Sequence, residues 1–392
     1  MGEKERLAPE TFRLPVEKIR GSYYSDSYFA LTKELLEAEG RAPEVTMQVF
    51  AKKRGLLGGI DEAIAVLKLC AGRQGMDIWE PGWSQLRVSA LHEGDEIEPD
   101  EAVMLIEGDY TLFAHLETVY LGTLARRSLV MTNVRRVVDA ARGKTILFFP
   151  ARHDHWLVQT GDGWAAHVAG AIGVSTDAQA SWWGGRGVGT IPHSLIASYG
   201  GDTVAAARAF CKRFGDQINV VSLVDFHNDS VGDAVAVADA LGDQLWGVRL
   251  DTSERLVDRS LEGLAAERGE GGLRGVNVEL VRKVREALDE AGHEQVKIVV
   301  SGGFTAEKIE AFEAAGAPVD SYGVGSALLR GSFDFTADIV CLDREHGAKV
   351  GHASCAPTRG CSRSPRLRTR WPTPTTSRSA RSPKPTCRCC ST

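Results

Sequence analysis

The first third of the chain mixes helical and strand patterns of apolar residues. A Ser/Asp start and a Gly stop enclose a helical pattern at residues 25–40, residues 45–53 alternate as in a strand, and residues 60–72 form a second amphipathic pattern. Short strand and turn patterns follow over residues 86–110, before a long helical stretch at residues 111–142. These patterns predict an α+β domain that leads into a long helix.

From Lys144 onward, short runs of apolar and β-branched residues recur, with helical patterns between several of them. This alternation predicts parallel strands joined by crossover helices. The number of runs fits an α/β barrel or an open doubly wound sheet, which periodicity alone does not separate. We favour the barrel because polar residues follow each run, and barrel enzymes assemble their sites at strand ends. The runs occupy residues 145–149, 172–176, 188–191, 218–224, 245–250, 296–301 and 320–325, and the clearest helices residues 202–214, 229–241, 277–291 and 305–315.

The chain therefore divides into three predicted regions. They are an α+β domain over residues 1–130, an irregular, incomplete TIM-like α/β barrel over residues 131–340, and a low-complexity C-terminal extension over residues 341–392. After about residue 352 we predict disorder or an aberrant segment, since the Arg, Pro, Ser, Thr and Cys bias is what a shifted reading frame in GC-rich coding sequence produces. Thiolates of Cys355 and Cys361 suit zinc, but few apolar residues are there to pack around a metal site.

Composition narrows the class of protein. The formal net charge is −6, yet the residues after 352 carry only basic charges, so the part before them is more acidic than this average suggests. Such a body is a poor nonspecific binder of nucleic acid. No apolar run approaches the roughly 18–20 residues of a membrane span, and the polar N-terminus has no signal-peptide core. We expect a cytoplasmic enzyme without a nucleic-acid or membrane partner.

Two glycine-rich turns follow the last two predicted strands, and each lies between its strand and a predicted helix start. Ser301, Gly302 and Gly303 form one turn, and Gly325 and Ser326 form the other. Glycine lets backbone amides approach a phosphate closely, and phosphate sites recur after the last strands of barrels. The alternative is that these glycines only make tight turns.

His193 follows another predicted strand within the segment Gly-Thr-Ile-Pro-His-Ser. A histidine at a strand end is most often a satisfied surface or supporting residue. Near phosphate-binding turns, however, a neutral imidazole nitrogen can accept a phosphoryl group, because it is a nucleophile near neutral pH. His193 is therefore our candidate catalytic residue.

Arg249 and Asp251 lie on the same face of a strand end, two residues apart. The pair is a structural salt bridge in the simplest interpretation. In the functional one, the planar guanidinium of Arg249 grips a substrate carboxylate, while Asp251 addresses ribose hydroxyls or Mg²⁺.

A His-x-His pair at residues 153–155 and a histidine at residue 227 also follow predicted strands, which is compatible with a metal-dependent barrel hydrolase. We keep this class as an alternative. A hydrolase has no need of two phosphate-binding turns, and Arg152 beside the first histidine would repel a bound dication.

These motifs together resemble those of nicotinate phosphoribosyltransferases, which share the type II phosphoribosyltransferase fold with the quinolinate and nicotinamide enzymes. The resemblance runs from about Phe12 to about Val350. It implies that His193 is transiently phosphorylated, that Tyr28 in the segment Ser-Asp-Ser-Tyr stacks on the pyridine ring, and that Thr190 contacts nicotinate.

The same resemblance implies roles for the remaining candidates. Arg249 would bind the nicotinate carboxylate, with Arg152 as a further nicotinate ligand, and Asp251 would lie near the ribose of phosphoribosyl pyrophosphate. The two glycine-rich turns would hold its 5′-phosphate. Where many members continue with Asp-Ser-Gly-Asp, this chain has the residues Asp251 to Glu254 in the order Asp-Thr-Ser-Glu, so the loop after the arginine strand departs from the family pattern.

The implied reaction forms nicotinate mononucleotide and pyrophosphate in NAD salvage, with Mg²⁺ bound through the substrate pyrophosphate and ATP as co-substrate. Relatives of this kind form dimers in which one N-terminal domain closes the barrel of the other subunit, so we expect a homodimer or a higher even homo-oligomer. Two alternatives stay open beside the hydrolase. One is a quinolinate-type enzyme, which uses no ATP, and the other is a catalytically silent barrel that binds a metabolite.

Overall fold

The computed structural model describes residues 5–343 and the backbone of residues 345 and 346, so the predictions for the rest of the tail, including Cys355 and Cys361, lie outside the described residues. Within the described part, no helix combines the length and the apolar character that crossing a bilayer requires. The helices are α1 (Val16–Arg20), α2 (Ser27–Ala38), α3 (Ile60–Cys70), α4 (Glu117–Ala140), α5 (Gln159–Val168), α6 (Asp177–Ala180), α7 (His193–Ser198), α8 (Thr203–Phe214), α9 (Ser230–Leu241), α10 (Glu262–Arg268), α11 (Val278–Glu290) and α12 (Ala306–Ala314). The strands are β1 (Glu44–Ala51), β2 (Gly55–Leu56), β3 (Gly72–Gln74), β4 (Trp79–Pro81), β5 (Arg87–Ala90), β6 (Glu96–Ile97), β7 (Ala102–Asp109), β8 (Thr145–Phe148), β9 (Gly173–Val174), β10 (Val220–Leu223), β11 (Leu245–Leu250), β12 (Lys297–Val300), β13 (Ser321–Val324), β14 (Phe335–Leu342) and β15 (Glu345–His346).

The N-terminal domain is built around an antiparallel sheet in the order β15-β14-β1-β7-β5. Strand β1 lies in the centre of this sheet, between β14 and β7. Nearly all of its residues are buried, as expected for a strand that is covered on both faces. Val45, Met47 and Val49 pack with α3 and the first half of α4 in one apolar core. The predicted helices and strand of this region are confirmed within a few residues at each end.

Strand β14 returns the chain to this first sheet, where it pairs antiparallel with β1. Residues 335–340, which the sequence assigned to the barrel, thus hydrogen-bond to the N-terminal domain, and Phe335 packs in its core. Helix α4 runs uninterrupted through the predicted boundary at residue 130. Its first half contributes Tyr120 and Leu124 to the N-terminal core, and its second half contributes Val134 to the barrel core, so one helix supports both domains.

The predicted irregular, incomplete α/β barrel is confirmed. Six strands form one parallel sheet in the order β10-β11-β12-β13-β8-β9, and helices α8, α9, α11 and α12 coincide with the predicted helices. Apolar side chains of these strands and of the surrounding helices form one continuous core. This arrangement brings the carboxyl ends of the strands to one edge of the barrel.

The run at residues 188–191 does not form the strand that the sequence predicts. It is a single extended connection that joins the two edge strands: Val188 N donates to Val174 O at 2.7 Å, and Ile191 N donates to Val221 O at 3.0 Å. Pro192 has no N–H to continue a ladder, and Gly189 adds no side chain to pack. The barrel is therefore closed by isolated hydrogen bonds at the segment that carries Thr190.

A buried charge network joins α3, α4 and α5 beneath the loop that follows β8. Arg127 donates to Glu62 at 3.0 Å and to Asp162 at 2.9 Å, while Arg126 pairs with Asp162 at 2.6 Å and with Asp154 of that loop at 2.7 Å. Burial by itself would lower the pKa of Arg127. The carboxylates of Glu62 and Asp162 have the larger combined effect, so the pKa of Arg127 is raised. The network connects the N-terminal domain to the strand-end edge of the barrel.

Arg127→Ala is expected to lower the free energy of unfolding by about 3–5 kcal/mol, because Glu62 would be left buried without its cation. Urea denaturation of the purified chain measures the change. The matched control is Arg135→Ala on the same helix, whose exposed pair with Asp139 should contribute only about 0.3–0.5 kcal/mol. Equal losses in the two variants would show that the network does not stabilise this junction.

Candidate active site

His193 is the first residue of α7, and its ring faces the carboxylate that ends β10. Its Nε2 lies 3.2 Å from Asp225 Oδ1 and 3.3 Å from Asp225 Oδ2. The Asp225 side chain is only 5% exposed, whereas that of His193 is 48% exposed. The hydrogen bond with Asp225 raises the pKa of His193 against the effect of burial. The carboxylate thus fixes the ring while leaving one face of it open.

Arg249 forms the centre of a second group at the end of β11. Its Nη1 donates to Thr190 Oγ1 at 2.6 Å and its Nη2 to Asp251 Oδ2 at 2.9 Å. Within the described residues, the buried Nε of Arg249 has no hydrogen-bond partner. Arg249 and Asp251 therefore do form the ion pair of the simpler interpretation, and Thr190 joins it from the segment that closes the barrel.

The turn after β12 continues this group. Ser301 Oγ donates to Asp251 Oδ1 at 2.8 Å, and a Cβ built on Gly302 would lie 3.3 Å from the same oxygen. Gly302 and Gly303 both have positive φ, at +87° and +67°, which favours glycine. Thr305 then caps α12 by accepting a hydrogen bond from Lys308 N. The predicted order of glycine turn and helix start is present here.

The turn after β13 differs from that prediction. Gly325 and Ser326 lead into a 3-10 turn, Ser326–Leu329, and no α-helix begins there. The partial positive charge of a helix N-terminus is therefore absent from this turn, because so short an element aligns few peptide dipoles. A Cβ on Gly325 would lie 3.0 Å from His153 Cε1, so close approach of the His153 ring is what this glycine permits. Arg152 lies in the same short turn as His153 and is exposed.

The imidazole and the guanidinium lie at the same edge of the barrel, because the imidazole contacts Asp225 after β10 and Arg249 lies near the end of the neighbouring parallel strand β11, and they are close enough for their charges to interact. The charge of Arg249 lowers the pKa of His193 and that of Asp251 raises it, while the hydrogen bond with Asp225 has the largest effect. Since β12 and β13 are neighbours in the sheet, the two glycine turns lie side by side at this edge. His193, Arg249 and both turns thus surround one region at the carboxyl ends of the strands.

Tyr28 is not brought to this pocket within one chain. It lies on α2, with its ring 4.3 Å from that of Phe29, and it is 60% exposed. Nearby, Asp26 N donates to Thr118 Oγ1 at 2.9 Å, which anchors the start of α2 to α4. The surroundings of Tyr28 belong to the N-terminal domain.

The histidines considered for a metal site have other partners. His155 stacks on Trp156, and His227 Nδ1 lies 3.1 Å from Asp233 Oδ2. Among residues 5–343, no group of three or more His, Cys, Asp or Glu side chains is placed to hold a metal ion. His155 and His227 thus pack against partners within their own segments of the chain.

Comparison with known proteins agrees with this architecture. The structure of a nicotinate-nucleotide pyrophosphorylase from Pyrococcus furiosus superposes with a TM-score of 0.72 and 33% sequence identity, over 86% of this chain and 80% of that one. The chain belongs to the type II phosphoribosyltransferase family. Residues 26–128 of this chain also match the family model for the N-terminal domain of quinolinate phosphoribosyl transferase.

Two further proteins are similar to this chain, one in sequence and one in fold. A nicotinate phosphoribosyltransferase of Mycobacterium tuberculosis is 32% identical over 261 residues, which is 64% of this chain and 52% of the relative. The chain thus spans about half the length of the curated relatives it matches. Human nicotinic acid phosphoribosyltransferase shares the fold at 18% identity and a TM-score of 0.64, over 84% of this chain and 76% of the human one.

Sequence reasoning did not assign a role to three residues of this candidate site. Asp225, His153 and Glu254 contact His193, Gly325 and Gly303, respectively. Each follows a parallel strand, which was a visible signal for Asp225 and His153. Glu254 follows β11 by four residues, and only the path of its loop brings it back to the turn after β12.

Proposed function

We propose that this phosphoribosyltransferase joins nicotinate to phosphoribosyl pyrophosphate in the cytoplasm, forming nicotinate mononucleotide and pyrophosphate for NAD biosynthesis. In this proposal, ATP hydrolysis is coupled to the reaction through phosphorylation of His193. The observation that supports it most is that the imidazole, Arg249 and two glycine turns lie at the carboxyl ends of neighbouring parallel strands. The name of the mycobacterial relative, nicotinate phosphoribosyltransferase, points to the same reaction.

Arg249 is suited to the carboxylate of nicotinate. Its guanidinium is mostly buried and is already oriented by Thr190 and Asp251. A planar guanidinium offers paired donors that match a carboxylate, and in a pocket with little water such charge-assisted hydrogen bonds are strong. The Nε of Arg249 has no hydrogen-bond partner among the described residues, so it is one donor that remains available for the substrate carboxylate. Arg152 would add a second cation at the pocket edge.

Cleavage of the bond to pyrophosphate builds positive charge on the ribose and negative charge on the leaving group. Asp251, which Arg249 and Ser301 hold, would orient ribose hydroxyls, and the glycine turns would offer amides to the 5′-phosphate. The carboxylates of Asp225 and Asp251 are the oxygen donors that Mg²⁺ prefers, although these two alone do not form a full ligand set. Mg²⁺ carried by the substrate pyrophosphate would neutralise the leaving group.

His193 would accept the γ-phosphoryl group of ATP on a ring nitrogen as the bond to ADP breaks, and water would later release that group as phosphate. Asp225 is a positioning residue here, because it orients the ring and stabilises its cationic form. A phosphorylated His193 places a new anion beside Arg249 and Asp251, which changes the affinity of the pocket for its charged substrates.

Tyr28 fits this function only through a second copy of the chain. It is exposed on α2, away from the pocket of its own barrel. In a homodimer, or a higher even homo-oligomer, the N-terminal domain of one subunit would cover the barrel mouth of the other and bring Tyr28 to the pyridine ring.

The proposed function predicts ADP release that depends on nicotinate. Purified protein with phosphoribosyl pyrophosphate, ATP and Mg²⁺ should release ADP and form the mononucleotide faster when nicotinate is added, because coupling requires the occupied site. A coupled ADP assay with chromatography of the nucleotide measures both products. Product from quinolinate without ATP would instead support the quinolinate-type enzyme, which the match of residues 26–128 favours as second candidate.

A further inference from the structure

The carboxylate of Glu254 lies directly over the glycine turn that follows β12. A Cβ built on Gly303 would collide with Glu254 Oε1, and its Cδ would lie 2.9 Å away. The carboxylate therefore fills the space that a side chain would take at any other residue type. This is the space that close approach of a phosphate to the turn requires.

The surroundings of this carboxylate are those of an anion site. Gly302 and Gly303 expose backbone at positive φ, and α12 begins at Ala306 with its N-terminus toward the turn. Lys308 Nζ lies 3.4 Å from Gly302 O. Burial lowers the pKa of Lys308, and the negative charge of Glu254 opposes that shift. The ammonium group and the carboxylate therefore attract each other.

The Glu254 side chain is not tied down. Among the described residues it forms no hydrogen bond and no ion pair within 4.0 Å. Its backbone, in contrast, is fixed, because Gly275 N donates to Leu256 O at 2.8 Å and a Cβ on Gly275 would lie 3.1 Å from Glu254 Cα. Rotation of the side chain alone would clear the turn without moving the loop.

We propose that Glu254 is an internal competitor for the phosphate subsite, whose carboxylate occupies the turn in the free protein and must rotate away before a 5′-phosphate binds. The inference rests on the proposed function, because it takes the turn after β12 to be a phosphate subsite. Glu254 thereby favours phosphorylated sugars over sugars without a phosphate, because the ligand has to displace the carboxylate with an anion of higher charge.

Binding of ribose 5-phosphate, measured by titration calorimetry on the full chain, tests this. Glu254→Gln is expected to bind ribose 5-phosphate about five- to tenfold more tightly than the wild type, because a like charge at contact distance is removed. Glu254→Ala should show the same direction. Glu267→Gln, which removes an exposed carboxylate from α10, should bind as the wild type does.

The outcomes separate the inference from the function on which it rests. If the wild type binds ribose 5-phosphate and both Glu254 variants bind it equally well or more weakly, Glu254 does not compete with the phosphate. The proposed function would be unaffected by that result. If neither the wild type nor the variants bind ribose 5-phosphate, the phosphate subsite fails and the inference fails with it. If Glu267→Gln binds ribose 5-phosphate as tightly as Glu254→Gln does, the gain in affinity comes from the change in net charge alone. That result would also overturn the inference.

Discussion

His193→Ala is expected to abolish transfer of the γ-phosphate of ATP to the chain. The His193 imidazole is half-exposed, and Asp225 holds its Nε2, which leaves Nδ1 as the ring nitrogen that can attack the γ-phosphate. The measurement is incubation with γ-labelled ATP, followed by quantification of acid-labile label that stays on the protein.

His227→Ala provides a matched control for this experiment. His227 also pairs with an aspartate, at 3.1 Å, and its side chain is 46% exposed, but it contacts Asp233 on α9 rather than the pocket. We expect this variant to retain the label at the wild-type level. Label retained in His193→Ala, or lost in both variants, would remove His193 from the phosphorylation step.

Arg249→Ala is expected to lower kcat/KM for nicotinate about 1,000-fold, which corresponds to about 4 kcal/mol. The substrate carboxylate would lose its charge-assisted hydrogen bonds, and Asp251 would lose the guanidinium that orients it at 2.9 Å. Arg249→Lys keeps the charge without the planar fork, so its loss should be intermediate. Steady-state kinetics with nicotinate as the varied substrate measures these changes.

The exposed Arg268→Ala, at the end of α10, serves as the control and should keep wild-type kinetics. Pyridine, which has no carboxylate, should inhibit the wild type and Arg249→Ala equally weakly. If Arg249→Ala instead raises KM for phosphoribosyl pyrophosphate as much as for nicotinate, Arg249 acts mainly through Asp251, and the carboxylate contact is wrong.

Helices were the most predictable part of the fold. The four barrel helices that the sequence predicted begin and end within about one residue of the predicted bounds, because N-caps such as Asp202, Asp229 and Thr305 lie directly before the helices that they start. The shorter helices α5, α6, α7 and α10 were not predicted. Strands depend on a partner elsewhere in the chain. Residues 188–191 look like a strand locally, yet they lie between two edge strands without forming a ladder, and β14 leaves the barrel because β1 offers it a free edge.

The sequence by itself determined the fold class, the barrel helices and the identity of the strand-end candidates, since these follow from local periodicity, capping and turn chemistry. Only the tertiary structure decided which candidates meet. It paired His193 with Asp225, Arg249 with Thr190, and Gly303 with Glu254, and it left Tyr28 in the other domain. The reason is physical: contacts between residues tens of positions apart depend on sheet order and loop paths, and these are properties of the whole packed core rather than of any short segment.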